Sequence, residues 1–519
     1  MNQFKISSNK LLLNALNLLK SNLILSFITL LGMLFNFISQ LVIASLFGTT
    51  IERDAYFVAM AFPAYLSAVL LGAYGVVFLP AFIQKQKDGY KKSKVFVSNN
   101  INIIFIIVTV VTIGGIIYAK EILSFTAAGL NGEELDLATQ IFKFLLPVVI
   151  FQSLINILSS VSQSQNNFVL PAISPIVTSI VSLVFLIILF PYYGILSLAI
   201  GTLVGNFLSL LLFMPVLTKN YTFHINFYDK DFHRVVIISL PLLLSGLITR
   251  SNSLFERFVA STLPQGSISY LGYATQIQNI LCSVAISSIG TIIFPLLAKK
   301  WAENDLDLTR KYYSNGIRLI LIITVPIAIL FVFEGEVVIQ MIFERGNFLH
   351  ESTIIVSRVF SLLALSFICT SLASVVSKIF YLTGKTVVVS LTEVFVSLVY
   401  FLISLLLVKD FSFYGLAAAS SLTTFMSILI ILYLGNKLLK GIDFVYILKG
   451  PAIVLIFSIA SITIIDYLLL PHIVGLNIYL LNFLLISSYC FLLYLMLVLI
   501  KFKELVTLNL FILKFFDNR

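Results

Sequence analysis

Apolar runs long enough to cross roughly 30 Å of hydrocarbon recur along almost the whole chain, separated by short polar stretches. They predict membrane-spanning helices over residues 24–47, 55–84, 96–118, 138–163, 169–190, 192–217, 232–262, 267–299, 312–333, 351–382, 385–408, 412–436, 446–469 and 474–500. About fourteen spans result, several longer than the usual twenty residues, which predicts tilt or extension into the interface. Turn chemistry marks the joints, as in Phe47-Gly48-Thr49-Thr50, Pro191-Tyr192-Tyr193-Gly194, Leu263-Pro264-Gln265-Gly266 and Thr383-Gly384-Lys385. No polar stretch is long enough to fold as a soluble domain. Ahead of the first span, Leu11, Leu12, Leu13, Leu16, Leu18 and Leu19 stand beside Lys10 and Lys20. That pattern predicts a helix over residues 2–20 lying on the inner leaflet.

Composition agrees with this pattern: of 519 residues 59% are hydrophobic and 11% charged, with a mean hydropathy of +1.06, so the solvent is a membrane. Nothing at the N-terminus reads as a cleaved signal peptide, and the first span is expected to direct insertion. The net charge of +10 is mostly topology. With both termini inside, most lysines and arginines fall in cytoplasmic segments, including Lys85 to Lys94, Lys219, Lys230 and Arg234, Lys299 to Lys311, and Lys437 to Lys449, as the positive-inside rule prefers. Acidic residues gather on the opposite side, at Glu121, Glu133, Glu134 and Asp136 and again at Glu334, Glu336, Glu344 and Glu351. A nucleic-acid partner is excluded, since no soluble module carries a basic face. Cys282, Cys369 and Cys490 lie far apart in apolar runs and read as small core residues rather than disulfide or metal ligands.

The chain repeats internally. One constant offset maps Ala59 onto Ala274, Gly75 onto Gly290, Pro80 onto Pro295, and Val181-Ser182-Leu183-Val184 onto Val396-Ser397-Leu398-Val399. Six spans per unit is an even number, so the halves run the same way, with a substrate cavity expected between them. The expected organisation is an interfacial segment (1–23), a first six-helix lobe (24–217), a cytoplasmic linker (218–231), a second lobe (232–437), two extra helices (438–500) and a cytoplasmic tail (501–519).

Specific residues carry a family resemblance. Asp54-Ala55-Tyr56-Phe57-Val58-Ala59, Pro63 and Phe78-Leu79-Pro80-Ala81-Phe82 resemble the second-span signature of the MviN/MurJ lipid II flippases, members of the MOP exporter superfamily. Phe168, Pro171-Ala172 and Pro175 are similar to that family's fifth span. Ala260-Ser261, Gly266-Ser267, Ser269 and Tyr273-Ala274 through Phe294-Pro295 resemble the seventh-to-eighth segment, and Phe343 to Phe348 with Phe380-Tyr381 the ninth-to-tenth. The resemblance implies a flippase in the bacterial inner membrane, active in peptidoglycan biosynthesis and dependent on no catalytic site. It would carry an undecaprenyl-pyrophosphate-linked glycan by alternating access. It also implies arginines in the first, second and eighth spans, where this chain has Ser39, Ser45, Ser67 and Gln276. A diphosphate in a low-dielectric cavity needs compensating charge, so these departures bear on which glycan is carried.

Ionisable groups at membrane depth are costly and point to function. Arg250, Glu256 and Arg257 sit in the seventh predicted span. Arg250, near its middle, is the candidate donor to an anionic headgroup; Glu256 pairing with one of the arginines is the structural alternative. Lys378 can snorkel to the inner interface and Arg358 can lie at the outer end of its span. Glu393 either meets Lys385, Ser390 or Thr392 near the inner surface or binds a coupling ion. The resemblance implies a Na⁺ or H⁺ site among spans seven, eleven and twelve, for which the chain offers Asn252, Glu393 and Thr423. No cofactor is implied, and the four scattered histidines form no metal cluster. Phosphate-binding loops are absent, which argues against ATP hydrolysis. The expected partners are the lipid-linked glycan, membrane lipids and cell-wall synthesis proteins, with the chain as a monomer. Three alternatives remain: a flippase for an exopolysaccharide or O-antigen repeat unit, a multidrug cation antiporter, and a non-transporting envelope scaffold.

Overall fold

In lipid every backbone polar group must find its partner within the segment, which selects helices over isolated strands. A computed structural model describes residues 25, 27–469, 477–500 and 502, leaving out the side chains of 287–292, 468 and 469. Helices and short connections make up the described residues, without a strand. The interfacial helix expected over 2–20 lies outside the described residues, as do 470–476 and, Phe502 apart, the C-terminal tail.

The helices are α1 (Phe27–Phe47), α2 (Ile51–Lys87), α3 (Tyr90–Ile117), α4 (Ala119–Thr126), α5 (Gly132–Leu145), α6 (Val148–Ser164), α7 (Val169–Tyr193), α8 (Leu196–Leu211), α9 (Met214–Asn220), α10 (Lys230–Ser261) and α11 (Ser267–Ala302). After them come α12 (Leu306–Phe333), α13 (Gly335–Phe343), α14 (His350–Val376), α15 (Lys378–Leu382), α16 (Thr386–Leu439), α17 (Phe444–Ile464) and α18 (Ile478–Leu499). Among the described residues 11 helices are long and apolar enough to cross a membrane, or 12 if α8 and α9, bent by 47°, form one span. At 1.5 Å per residue the 54 residues of α16 would extend for about 80 Å, far beyond one bilayer. They divide at Ser412 (φ 52°, ψ −139°). A Cβ on Gly415 would stand 2.6 Å from the Leu407 carbonyl, so the two halves fold back on each other as the two expected spans. With that division, and with the 36-residue α11, the fourteen expected spans are accounted for.

Two compact units emerge, residues 1–269 and 270–519. In the first, α2 packs against α5, α6 and α10, and α7 against α8. Glycine permits the α7–α8 approach: a Cβ on Gly201 or Gly205 would lie 2.8 Å from the carbonyl oxygens of Ser182 and Thr178. Phe78 stacks with Tyr74, Phe82 and Phe96 between α2 and α3. In the second unit α14 packs on α12 and α16, and α12 on α17. Tyr313, Ile317 and Ile320 form a core with Val376, Phe380 and Ile431. Large apolar side chains such as Ile188 (61% exposed) and Leu406 (66%) face outwards, the arrangement expected where hydrocarbon is the solvent.

Candidate functional site

Charge is sparse enough in the first unit that each buried ionic group can be followed. The polar connection Gly48-Thr49-Thr50 starts α2, and its first turn carries Arg53 and Asp54, 1% and 6% exposed. Asp54 accepts hydrogen bonds from the backbone N–H groups of Gly266 and Ser269, both at 2.7 Å, and from the Ser269 hydroxyl. A carboxylate thus caps the N-terminus of α11, where the helix dipole favours negative charge. Gly266 turns the chain there with φ 86°, open to glycine at little cost. The Arg53 guanidinium lies 4.0 Å from the centre of the Phe57 ring. From α10, Arg257 donates to the Ile268 carbonyl at 3.0 Å, stands 3.5 Å from Glu256 and lies 5.2 Å from the Phe57 ring. Gly129 presses on the end of α10 and donates to Ser261 Oγ at 3.1 Å; a Cβ there would stand 1.9 Å from the Ser261 carbonyl oxygen. This end of the unit is therefore closed by one network joining α2, α10 and the start of α11.

The sequence-derived candidates divide. Glu256 pairs with Arg257, and their side chains are 19% and 12% exposed. Arg250, two turns earlier on α10, is exposed and has no ion-pair or side-chain hydrogen-bond partner among the described residues. Ser39 and Ser45 are half-buried on α1 and donate to the carbonyls of Phe35 (2.9 Å) and Val42 (2.8 Å). Ser67 is half-buried on α2, past Pro63, and Asn252 is half-buried one turn before Glu256. In the second unit Gln276 is half-buried on α11. Glu393 is exposed early in α16, while Thr423 is buried and donates to the Ala419 carbonyl at 2.7 Å. Lys378 lies 5.3 Å from the Phe294 ring and borders a cavity of about 100 Å³ with Tyr313 and Ser374.

Sequence reasoning missed two features. Asp54 entered only as part of a signature and Arg53 not at all, although three consecutive charges, Glu52, Arg53 and Asp54, in the first turn of an apolar helix were a signal. The expected linker is also not free chain. Asn99 on α3 binds both the N–H (2.7 Å) and the carbonyl (3.0 Å) of Asn226, Asn102 donates to the His224 carbonyl at 2.9 Å, and Ser98 accepts from Thr222 N–H at 2.8 Å. Three polar side chains within one turn and a half of an apolar helix were its trace in the sequence.

The acidic residues expected on the outer side of the second unit include a connected set. Glu344 accepts from Gln340 at 3.1 Å and lies 3.0 Å from His350, while Gln340 accepts from Asn482 of α18 at 2.7 Å. Burial raises the Glu344 carboxyl, but hydrogen bonds, those of Gln340 and His350 among them, more than offset this and hold it below its usual value. Glu334 is pushed up to about 7 by burial and by Asp466 beside it. Among the described residues no group of three or more His, Cys, Asp or Glu could hold a metal ion.

The sequence model of the lipid II flippase MurJ family matches residues 43–495. The chain is 27% identical over 427 residues to a probable lipid II flippase MurJ of Buchnera aphidicola subsp. Acyrthosiphon pisum, covering 80% of this chain and 83% of that one. It is 25% identical over 420 residues to the corresponding Rickettsia prowazekii protein, with the same two shares, 80% and 83%. Among solved structures, a lipid II flippase MurJ in an inward closed conformation superimposes with a TM-score of 0.79 at 23% identity, covering 92% of this chain and 99% of that one. An inward-facing multidrug MATE transporter of the MOP superfamily gives 0.67 at 13%, covering 79% and 94%. At these identities the two structures establish the shared fold alone.

Proposed function

The chain belongs to the lipid II flippase MurJ family, whose sequence model covers residues 43–495, and from that premise we propose that it moves lipid II from the inner to the outer leaflet of the bacterial inner membrane. The family match carries this reading. It supports a lipid transporter, and the cation distribution supports both termini in the cytoplasm.

Transport proceeds by alternating access, the diphosphate headgroup passing through protein while the polyprenyl tail stays in lipid. The network around Asp54 fastens the starts of α2 and α11 to each other within the first unit. Asp54 is bonded to the first turn of α11, so any movement that parts these two helix starts requires that carboxylate to release its three donors. Arg250 supports an anionic substrate. An unpaired guanidinium at the middle of a span costs about 2.5–3.5 kcal/mol in hydrocarbon, and an anion or water beside it removes that cost. Ser39 and Ser45 already donate their hydroxyl protons to their own helix, so as arranged they offer only lone pairs to a phosphate. The headgroup depends on Arg250, with Ser67 as a neutral donor. Glu393, Asn252 and Thr423 are each proposed to take part in coupling to Na⁺ or H⁺. A drug-cation antiporter, the other activity within the same fold, would be served by unpaired acids at span depth rather than by Arg250.

Expression of the chain in a bacterium depleted of its own lipid II flippase should restore growth. Failure by a correctly inserted protein would overturn the lipid II assignment in favour of another lipid-linked glycan, such as an exopolysaccharide or O-antigen repeat unit.

A further inference from the structure

Two cavities adjoin at the cation-bearing end of the first unit. One, of about 360 Å³, lies between α2 and α10 with walls that include Val76, Val77, Pro80, Val235 and Ile238. The other, of about 350 Å³, opens against Lys91, Lys92, His224 and Asn226. They share Lys85, Phe96 and Asp231 as a common border, so a largely apolar chamber, which carries Arg234 and Asp88 on its wall, leads directly into a cationic one.

The charges around this double chamber are unequally engaged. Lys85 is paired with Asp231 at 2.7 Å and with Asp88 at 3.3 Å. Asp229 caps α10 through the N–H of Asp231 at 3.0 Å and accepts from Asn99 at 3.1 Å. All three carboxylates are therefore occupied in holding the walls together. Lys91, Lys92 and Arg234 are exposed and have no ion-pair partner among the described residues. Among the lysine, arginine and aspartate side chains of the lining, four cations against three carboxylates leave one net positive charge. The adjoining loop, fastened by the asparagines of α3, exposes Phe223 (81%) and Tyr228 (90%), aromatic residues of the kind that settle at headgroup level.

We propose that this double chamber binds an anionic phosphodiester lipid of the membrane itself, its chain in the apolar half and its phosphate against Lys91, Lys92 and Arg234. The single net charge selects a phosphodiester, which carries one negative charge, over a lipid diphosphate, which carries more. Basic pockets between helices on the cytoplasmic side suit such headgroups. That is the leaflet concerned on the orientation proposed above, although binding itself requires neither that orientation nor flippase activity.

Native mass spectrometry of the detergent-purified full chain with phosphatidylglycerol and phosphatidylcholine of matched acyl chains tests the site. Wild type should retain phosphatidylglycerol preferentially. Lys91→Gln with Lys92→Gln should weaken that retention about tenfold and leave phosphatidylcholine unchanged, while the corresponding double arginine variant should keep it. Val77→Trp, which fills the apolar half, should weaken both lipids. Equal phosphatidylglycerol retention by wild type and the double glutamine variant would overturn the proposal. So would an equal loss on Lys437→Gln with Lys440→Gln, which would indicate diffuse attraction to any basic surface. A polyprenyl diphosphate displacing phosphatidylglycerol at equimolar concentration would assign the chamber to the substrate instead.

Discussion

Arg250 and Asp54 are opposite cases of a charged side chain on a membrane-spanning helix. Arg250 is exposed and unpaired among the described residues, so its cost falls only when an anion arrives. Arg250→Ala should therefore abolish complementation while the protein inserts normally. The loss corresponds to on the order of 2–5 kcal/mol of headgroup binding, and Arg250→Lys, which keeps charge without the planar fork, should be intermediate. Growth supported by a normally expressed Arg250→Ala protein would reject it as the anchor. Asp54 has three donors and is 6% exposed. Asp54→Asn keeps the shape but removes the charge from the α11 terminus, a change of about 1–2 kcal/mol. A cysteine at Ser261, buried beside this network, should then react severalfold faster with an impermeant maleimide in a background lacking Cys282, Cys369 and Cys490. An unchanged rate would mean that Asp54 does not hold this end shut. Both residues stood in the sequence, but which one had partners did not. Glu256 could have met either Arg250 or Arg257, and its side chain lies 3.5 Å from Arg257, its neighbour in the chain.

At the level of elements, the breaks were less legible than the spans. Ser412 carries a left-handed backbone although it is not glycine, and the close approach comes three residues later at Gly415. The two positions should respond with opposite signs. Gly415→Ala forces a methyl group against the Leu407 carbonyl and should lower thermal stability in detergent by roughly 1–3 kcal/mol. Ser412→Gly relieves a left-handed residue at a position already turned, and should be neutral or slightly stabilising. A lower melting temperature for Ser412→Gly and none for Gly415→Ala would reverse this account of the hairpin. Pro147 ends α5 and starts α6 without ending the span, since the membrane needs length and apolarity rather than one unbroken ladder.

For the molecule as a whole, the proposed orientation follows from the placement of lysine and arginine. Cysteines introduced at Lys91, Lys230 and Asp305 should be protected from impermeant reagents in intact cells, and cysteines at Asn131 and His350 should react. Labelling of Lys91 together with protection of Asn131 would invert the topology and move the lipid chamber to the opposite leaflet. The repeat belongs to this scale too. Asp54 and Ser269, bonded to each other, are 215 residues apart, the same separation that relates Ala59 to Ala274 and Pro80 to Pro295, so equivalent helix starts meet in one hydrogen-bonded network.

Span number and helical class were determined by the sequence alone, because transfer into hydrocarbon is a local property that sums along the chain. The resemblance in the second, fifth and eighth spans was legible for the same reason, as a string of residues. Tertiary structure decided the rest: that Asp54 caps a helix 215 residues away, that the linker is clamped to α3, and that Lys85 borders both an apolar and a cationic chamber. Each depends on how far a helix turns about its axis and which neighbour it meets. In a chain apolar on nearly every face, the hydrophobic pattern leaves that rotation undetermined, and packing and hydrogen bonds set it.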